Sequence, residues 1–403
     1  MATTFRAPSS TRADALNFPP QRILMAPGPS NLHPRVLQAL IAPLTSHKDP
    51  YFLSVMEDTA DLLRAVFKTD NRATLALPAT GGSAMEAALI NLLEPGDTVV
   101  IGVAGFFARR MVDICRRLPG VNPVVVDAAW GSPIDNAALV DAVRRQRPKV
   151  LAVVHGETST GVEQPFDGLG EVCREVGAYL VVDAVATLGG VSLPVDALGI
   201  DVCYSGSQKC LSAPPGVAPV TVSARAIRAV EQRRTAVQSW YFDLALHARF
   251  WDTEHIYHHT APILNIYALR EALRMIVEEG VDERLERHAL HARALRAGLQ
   301  ALGLDLFAQP AHQVASVTTV LAPPAVSSSA VRELLLDEFN LEISGGLGEY
   351  ADRMWRIGIM GHSAQQANVM LLLVALEHAL IRHGFTPAAS GAAAAEAIYG
   401  GPA

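Results

Sequence analysis

Cysteine is scarce in this chain: four in 403 residues (Cys115, Cys173, Cys203 and Cys210), none in a CxxC pair. Neither a disulfide framework nor a thiolate metal site is indicated, and a reducing compartment is expected. No apolar run reaches the about 20 residues that cross a bilayer; the longest are short pieces such as Val369 to Leu376. A basic excess is missing as well. Lys and Arg number 33 against 40 Asp and Glu, a net charge of -7, which argues against a duplex nucleic-acid binder but leaves room for a local pocket that holds an anion. There is no GxGxxG turn and no P-loop lysine, so a nicotinamide dehydrogenase and a P-loop phosphate site are disfavoured. The opening MATTFRAPSSTRADALNFPP lacks the apolar segment of a secretory leader. Its Arg, Ser and Thr leave an organellar transit peptide open, whereas Asp14 and the prolines favour a flexible arm, and the expected compartment is the cytoplasm.

What is present is alternation. From about residue 72, short apolar runs (ATLALP, TVVIGV, PVVVDA, VLAVVH, AYLVVD) are separated by helix-period segments such as AMEAALINLL and FFARRMVDICRRL. Buried strands separated by helices predict an α/β fold with a mainly parallel sheet, and ligands at the carboxyl ends of its strands. After about residue 280 the pattern changes to DERLERHALHARALRAGLQAL as a charged helix, SVTTVLAPP and RMWRIGIMG as strands, and a helix from Ser363 onward. Ser363 and Gln366 have capping-box spacing, and Gly384 reads as the stop. The expected organisation is an arm over 1–21, a large domain over 22–280, a smaller α+β domain over 281–385, and a disordered Ala/Gly/Pro-rich tail over 386–403.

Five segments bear on chemistry. In IDVCYSGSQKCLSAPPGVAPVTVS, Lys209 lies between two strand-like runs. A lysine there is costly unless its charge is paired, depressed or removed, and Schiff-base formation removes it; a surface-loop lysine is the equal competitor. In GAYLVVDAVATLGG, Asp183 ends an apolar strand, where a carboxylate can pair with a pyridinium nitrogen or merely cap a turn. In PATGGSAMEAALINLL, small residues lead into a helix whose free N–H groups and dipole suit a phosphate, although a plain strand-to-helix turn is the stronger reading of this segment alone, with Ser83 and Glu86 in capping-box spacing. In RMWRIGIMGHSA, Arg356 can grip a carboxylate with two parallel hydrogen bonds, or serve a structural ion pair; Arg353 competes from a more solvated position. In IYHHTAPI, His258 and His259 would point to opposite sides of a strand with no third ligand spaced to help, so no metal site is expected.

These stretches, with APGPSNLHPRVLQAL, HGETSTGV, YSGSQKCLSAPPG and YHHTAPILNIYALREAL, run in order from about residue 25 to 365. Together they resemble the class V aminotransferases of pyridoxal phosphate (PLP) fold type I, in the alanine–glyoxylate and serine–glyoxylate branch. The resemblance implies PLP as cofactor and Lys209 as its Schiff-base lysine and proton shuttle. It pairs Asp183 with the pyridinium nitrogen, gives Gly82 and Ser83 to the phosphate with Gln208 nearby, and sets Thr158 near the ring's phenolic oxygen. Val185 would pack one ring face and Phe107 the other, where relatives often carry Trp; Phe offers less area and no N–H donor. Arg356 would hold the substrate carboxylate, with Gly28 also on the substrate side. Tyr257 and Thr260 would reach the phosphate of a partner subunit, making a homodimer the active unit, with no nucleic-acid or membrane partner. The implied reaction moves an amino group from L-serine or L-alanine to glyoxylate or another small 2-oxo acid such as pyruvate. Pyridoxamine–pyruvate or aminoethylphosphonate–pyruvate transamination is the alternative. A desulfurase would need a nucleophilic cysteine late in the chain, and the last is Cys210.

Overall fold

The computed structural model describes residues 19–401, so the arm expected over 1–21 lies almost wholly outside the described residues. Seven strands build the central sheet: β1 (Ala73–Leu77), β2 (Thr98–Val103), β3 (Asn122–Asp127), β4 (Val150–Val154), β5 (Tyr179–Asp183), β6 (Val202–Tyr204) and β7 (Ala218–Val222). Their spatial order is β1-β7-β6-β5-β4-β2-β3. Only β7 runs against its neighbours β1 and β6; the remaining pairs are parallel. Each apolar run flagged in the sequence is one of these strands. The reason is visible in β4, whose VLAVV is buried at every position: a strand covered on both faces has no polar side to alternate. The edge strand β3 has no fully buried position and is exposed at Asn122, Val125 and Asp127.

The parallel strands all finish on one edge of the sheet, at Leu77, Val103, Asp127, Val154, Asp183 and Tyr204. From that edge the chain enters α1 (Gly81–Leu92) after β1 and α2 (Phe106–Arg117) after β2. Farther on come α3 (Leu244–Trp251), α4 (Ile263–Glu279) and α5 (Val281–Ala301). One apolar core runs from Val36 to Ile276 around the sheet.

A second core gathers Met25 with residues from Ala294 to Ala395. Its sheet has β8 (Val317–Leu321), β9 (Ser344–Gly345) and β10 (Met354–Gly358), with β10 in the middle and both pairings antiparallel. Residues 23–25, expected within the large domain, belong here: Ile23 and Leu24 pair with Leu341 and Glu342, and Met25 is fully buried in this core. The helix α6 (Gln366–Arg382) stops as expected, with Gly384 at φ +81 and Phe385 N–H reaching back to Leu380 O at 3.0 Å. Its start differs, because no side chain caps it. The cap position falls on Gln365, past Ser363, and Ser363 Oγ accepts instead from Asn31 N–H at 3.0 Å.

The tail expected to be disordered carries the helix α7 (Gly391–Tyr399). Its alanine and glycine content reads as low complexity but acts as a thin face for close packing. Ala395 is fully buried, and Tyr399 Oη meets His291 Nδ1 at 2.9 Å on α5. Gly298 permits the approach: a Cβ there would stand 2.7 Å from Leu373 Cδ2 and 2.8 Å from Gly391 O. Replacing Gly298 with Val should therefore overpack this seam and cost about 1–3 kcal/mol. Thermal or urea unfolding should show the loss.

Candidate active site

The lysine is presented by the connection over 205–217 between two adjacent antiparallel strands, β6 and β7. Because both strands are buried, the loop must turn back at the carboxyl edge of the sheet. It is stapled by Ala213 N–H to Ser207 O at 2.9 Å and by the Ser207 hydroxyl to Pro214 O. Lys209 extends into a cavity of about 220 Å³ that Asp183, Val185, Thr158, Gln208, Phe107 and Gly82 also line. Its ammonium donates to Pro27 O. Gly28, at φ +90, passes so close that a Cβ would lie 2.7 Å from Lys209 Nζ, so only glycine suits that position. Burial lowers the lysine pKa to about 8, with the nearby Arg356 charge adding to the effect. The amine is thereby moved toward its nucleophilic form.

Asp183 closes β5 and is 4% exposed. Its Oδ1 accepts from Val185 N–H at 2.8 Å. Burial nevertheless pushes its pKa up to about 7, opposed by that hydrogen bond. A cationic ring nitrogen beside it would reverse the shift.

The phosphate loop departs from its sequence reading in detail. Helix α1 begins at Gly81 with Thr80 in the cap position, and no side chain caps it. Ser83 is therefore inside the first turn, its N–H on Thr80 O at 2.9 Å, and it does not line the cavity, whereas Thr80, Gly81 and Gly82 do. An uncapped helix start leaves N–H donors that suit a phosphate. Gln208 Oε1 is buried in the same cavity with no hydrogen-bond partner. Exchanging its amide oxygen and nitrogen, an assignment set by the surroundings, would put a donor there.

Sequence reasoning missed Glu157. This residue of HGETSTGV is 1% exposed, and its Oε2 accepts from Phe107 N–H at 3.0 Å and Ala108 N–H at 3.1 Å. Its Oε1 accepts from the Ser159 hydroxyl at 2.6 Å, and Ser159 Oγ accepts from Phe106 N–H at 2.9 Å. The start of α2, and with it the Phe107 ring, is thus pinned from the β4 side. Burial raises the Glu157 pKa against these hydrogen bonds. The signal was an acidic residue in a loop that directly follows a fully apolar strand. Arg110 was missed too; it lines the cavity with its guanidinium 5.1 Å over the Phe107 ring.

Arg356, on the middle strand β10 of the second core, faces the first. Its Nε donates to Gly345 O at 2.7 Å and Nη1 to Thr158 O at 3.4 Å. Burial lowers its pKa to about 10; at neutral pH it remains a cation that backbone carbonyls hold in place. Tyr257 and Thr260 are not brought into the cavity. Both are exposed, with their hydroxyls 3.5 Å apart.

The residues fit PLP: an amine for its aldehyde, a buried carboxylate for its ring nitrogen, an uncapped helix start and an orphaned amide for its phosphate. Sheet order and site together define a PLP-dependent enzyme of fold type I. The family model for aminotransferase class-V matches residues 24–364. The chain is 37% identical to the (S)-ureidoglycine–glyoxylate transaminase of Bacillus subtilis, covering 90% of this chain and 92% of that one. It is 40% identical to the alanine–glyoxylate aminotransferase of Oryctolagus cuniculus, covering 90% and 93%. The crystal structure of ureidoglycine–glyoxylate aminotransferase from Bacillus subtilis superposes with a TM-score of 0.94 at 38% identity, covering 96% of this chain and all of that one. This chain belongs to the class V aminotransferases and is a PLP-dependent enzyme.

Borohydride reduction of the holoenzyme should fix the cofactor on the peptide that carries Lys209, and Lys209→Ala protein should take up no covalent label under peptide mass analysis. A second expectation concerns pH. In cofactor-free protein, a carboxyl raised from 3.8 to about 7 binds its proton more tightly folded than unfolded. Stability is then fully present at low pH and falls as pH rises from about 4 to 7, each pH unit crossed costing about 1.4 kcal/mol at most. Asp183→Asn removes that ionisation. The cofactor-free variant should gain in melting temperature relative to wild type between pH 5 and pH 8, even as its affinity for PLP drops.

Proposed function

We propose that the enzyme transfers the amino group of a small α-amino acid, L-alanine or L-serine, to glyoxylate. The observation that carries this reading is a depressed lysine amine and a buried carboxylate in one small cavity, with a carbonyl-held arginine at its border, bonded to the backbone of the cavity residue Thr158. When bound, the cofactor offers an aldehyde that takes the amino group and a ring that stores the electrons left when a proton departs. Asp183 favours the protonated ring nitrogen and so deepens that electron sink. Lys209 would be the base that takes the α-proton and returns it at the former aldehyde carbon, on the far side of the transferred nitrogen. Arg356 orients donor and acceptor alike through the carboxylate they share. Thr158 and Gln208 would hold the ring oxygen and the phosphate, and Val185 and Phe107 would hold the two ring faces. Glu157 fixes where Phe107 stands.

The likeness to the Bacillus subtilis protein favours a second reading, in which the donor is (S)-ureidoglycine. Both readings share the arginine grip and the small acceptor and differ only in what surrounds the donor's side chain.

The active unit in this proposal is a homodimer. Ile41 (83% exposed), Leu44 (70%) and Trp240 (63%) are large apolar side chains left in water. The His47 ring lies 5.1 Å from that of Tyr257, so the 41–51 and 240–260 segments share one surface. An exposed apolar surface of this kind suits a second copy, with Tyr257 and Thr260 turned to the partner's phosphate. Among the described residues no helix is long and apolar enough to cross a membrane.

Steady-state assays with glyoxylate as acceptor should give the highest kcat/KM with L-alanine or L-serine; a clear preference for (S)-ureidoglycine would select the second reading. Arg356→Ala should lose about 1.5–3 kcal/mol of charged hydrogen bonding. That is roughly a ten- to hundredfold fall in kcat/KM for every carboxylate substrate, and an unchanged value would remove the arginine from its role.

A further inference from the structure

Outside the cofactor cavity, three histidines face one another inside the larger core. His247 lies on α3 and is fully buried, while His258 and His259 are 6% and 7% exposed. One ring nitrogen from each lies within 4.8 Å of those from the other two. The strand expected for IYHHTAPI is not formed, since residues 255–262 are irregular. The two adjacent rings therefore turn toward each other, with their Nδ1 atoms 2.9 Å apart. His247, eleven positions upstream of His258, enters from a separate helix, so chain spacing alone did not reveal it.

The backbone partners of the rings fix their tautomers. His247 Nε2 lies 2.7 Å from Tyr241 O, and His258 Nε2 lies 3.3 Å from Trp240 O. A carbonyl only accepts, so both Nε2 atoms carry the hydrogen, and in a neutral imidazole that leaves both Nδ1 atoms as bare lone pairs. His258 Nδ1 is answered by His259 only if His259 protonates its own Nδ1. His247 Nδ1 is buried with no partner at all. All three imidazoles are buried, and among the described residues no carboxylate joins the cluster to pair with an imidazolium; the rings beside them are Trp240, Tyr241 and Phe250. A proton is thus a poor occupant of the gap, and an unpaired buried acceptor is itself unfavourable. The arrangement matches that of metal-binding histidines, whose far N–H is anchored on a backbone carbonyl while the near nitrogen points at the ion.

We propose that His247, His258 and His259 form a three-imidazole site for a first-row divalent cation of the zinc, nickel or copper kind. Three nitrogen ligands without carboxylates select these ions over magnesium and calcium, and a fourth position remains for water. A cation here would tie α3 to the segment that carries Tyr257 and Thr260.

The test uses untagged full-length holoenzyme, treated with EDTA and dialysed, then titrated with Zn²⁺ by calorimetry and with Co²⁺ by visible absorption. Wild type should bind one equivalent per chain and show the intense ligand-field bands of low-coordinate cobalt. It should also melt at a higher temperature with Zn²⁺ present. His247→Leu, and independently the polar His247→Gln, should weaken binding at least tenfold. Wild type without a stoichiometric site, or either folded variant binding as tightly as wild type, would overturn the proposal and leave a metal-free histidine cluster.

Discussion

Two opposite charges are buried in one cavity and anchored away from each other. Lys209 gives its ammonium to Pro27 O, and Asp183 takes Val185 N–H. Each is strained by its surroundings, the amine toward neutrality and the carboxyl toward protonation. Had they formed a close ion pair, both shifts would have been relieved and neither group would be poised for a ligand. The geometry keeps the cost outstanding until a group with an aldehyde at one end and a basic ring nitrogen at the other satisfies both. The sheet makes this possible, because β5 and β6 are parallel neighbours whose carboxyl ends deliver the two residues side by side, and the reversed β7 sends the lysine loop back over the edge.

The same logic recurs around the first pair. Glu157 is buried and raised in pKa, yet it holds the start of α2 through backbone N–H groups. Arg356 is buried and lowered, yet among the described residues its hydrogen bonds go only to backbone carbonyls. Carbonyls fix the arginine's direction without neutralising it, so its charge stays available to a carboxylate. A carboxylate partner in the same place would have made it structural. The surroundings of each ionisable group, more than its identity, separate a functional charge from a stapling one such as Arg225 on Asp201.

Much of this was legible from the chain because the strongest signals are local. Valine-rich runs give the strands of the central sheet, and small residues after β1 give an uncapped helix start. Asp183 is readable because it ends an apolar strand, and Lys209 because it stands in a loop between two apolar strands. Where the sequence misled, the deciding partner came from far along the chain. Ser363 was drawn to Asn31 and away from its own helix, Met25 joined a core built from residues beyond Ala294, and the alanine-rich tail found Gly298 and His291 to pack on. Glu157 was missed because its role depends on where α2 starts, which is set by tertiary structure. His247 escaped for the same reason, since nothing along the chain relates a residue on α3 to the irregular segment after it.

Lys209 and Arg356 belong to different cores, and the start of α5, lying between them, keeps their separation. Arg284 donates to Gly189 O at 3.1 Å and to Cys210 O at 2.8 Å, beside the lysine, and is paired with Glu279 at 2.8 Å. Arg287 shares that glutamate and donates to Ala364 O in the turn that follows β10. His288 Nε2 accepts from Gly361 N–H at 2.9 Å, and His362 N–H donates to Ser212 Oγ at 2.7 Å. Ser30 completes the bracket with its hydroxyl on Lys209 O at 2.8 Å. One helix end therefore grips both the loop that carries the amine and the turn beyond the strand that carries the arginine. None of these bonds is made to the Lys209 amine or the Arg356 guanidinium, so they fix position without altering the charge of either functional group. Buried Arg284 is costly to desolvate, and the carbonyls and Glu279 offset that cost. What the arrangement gains is a fixed distance between the group that moves a proton and the group that holds a carboxylate, on which an amino transfer with shared substrate geometry depends.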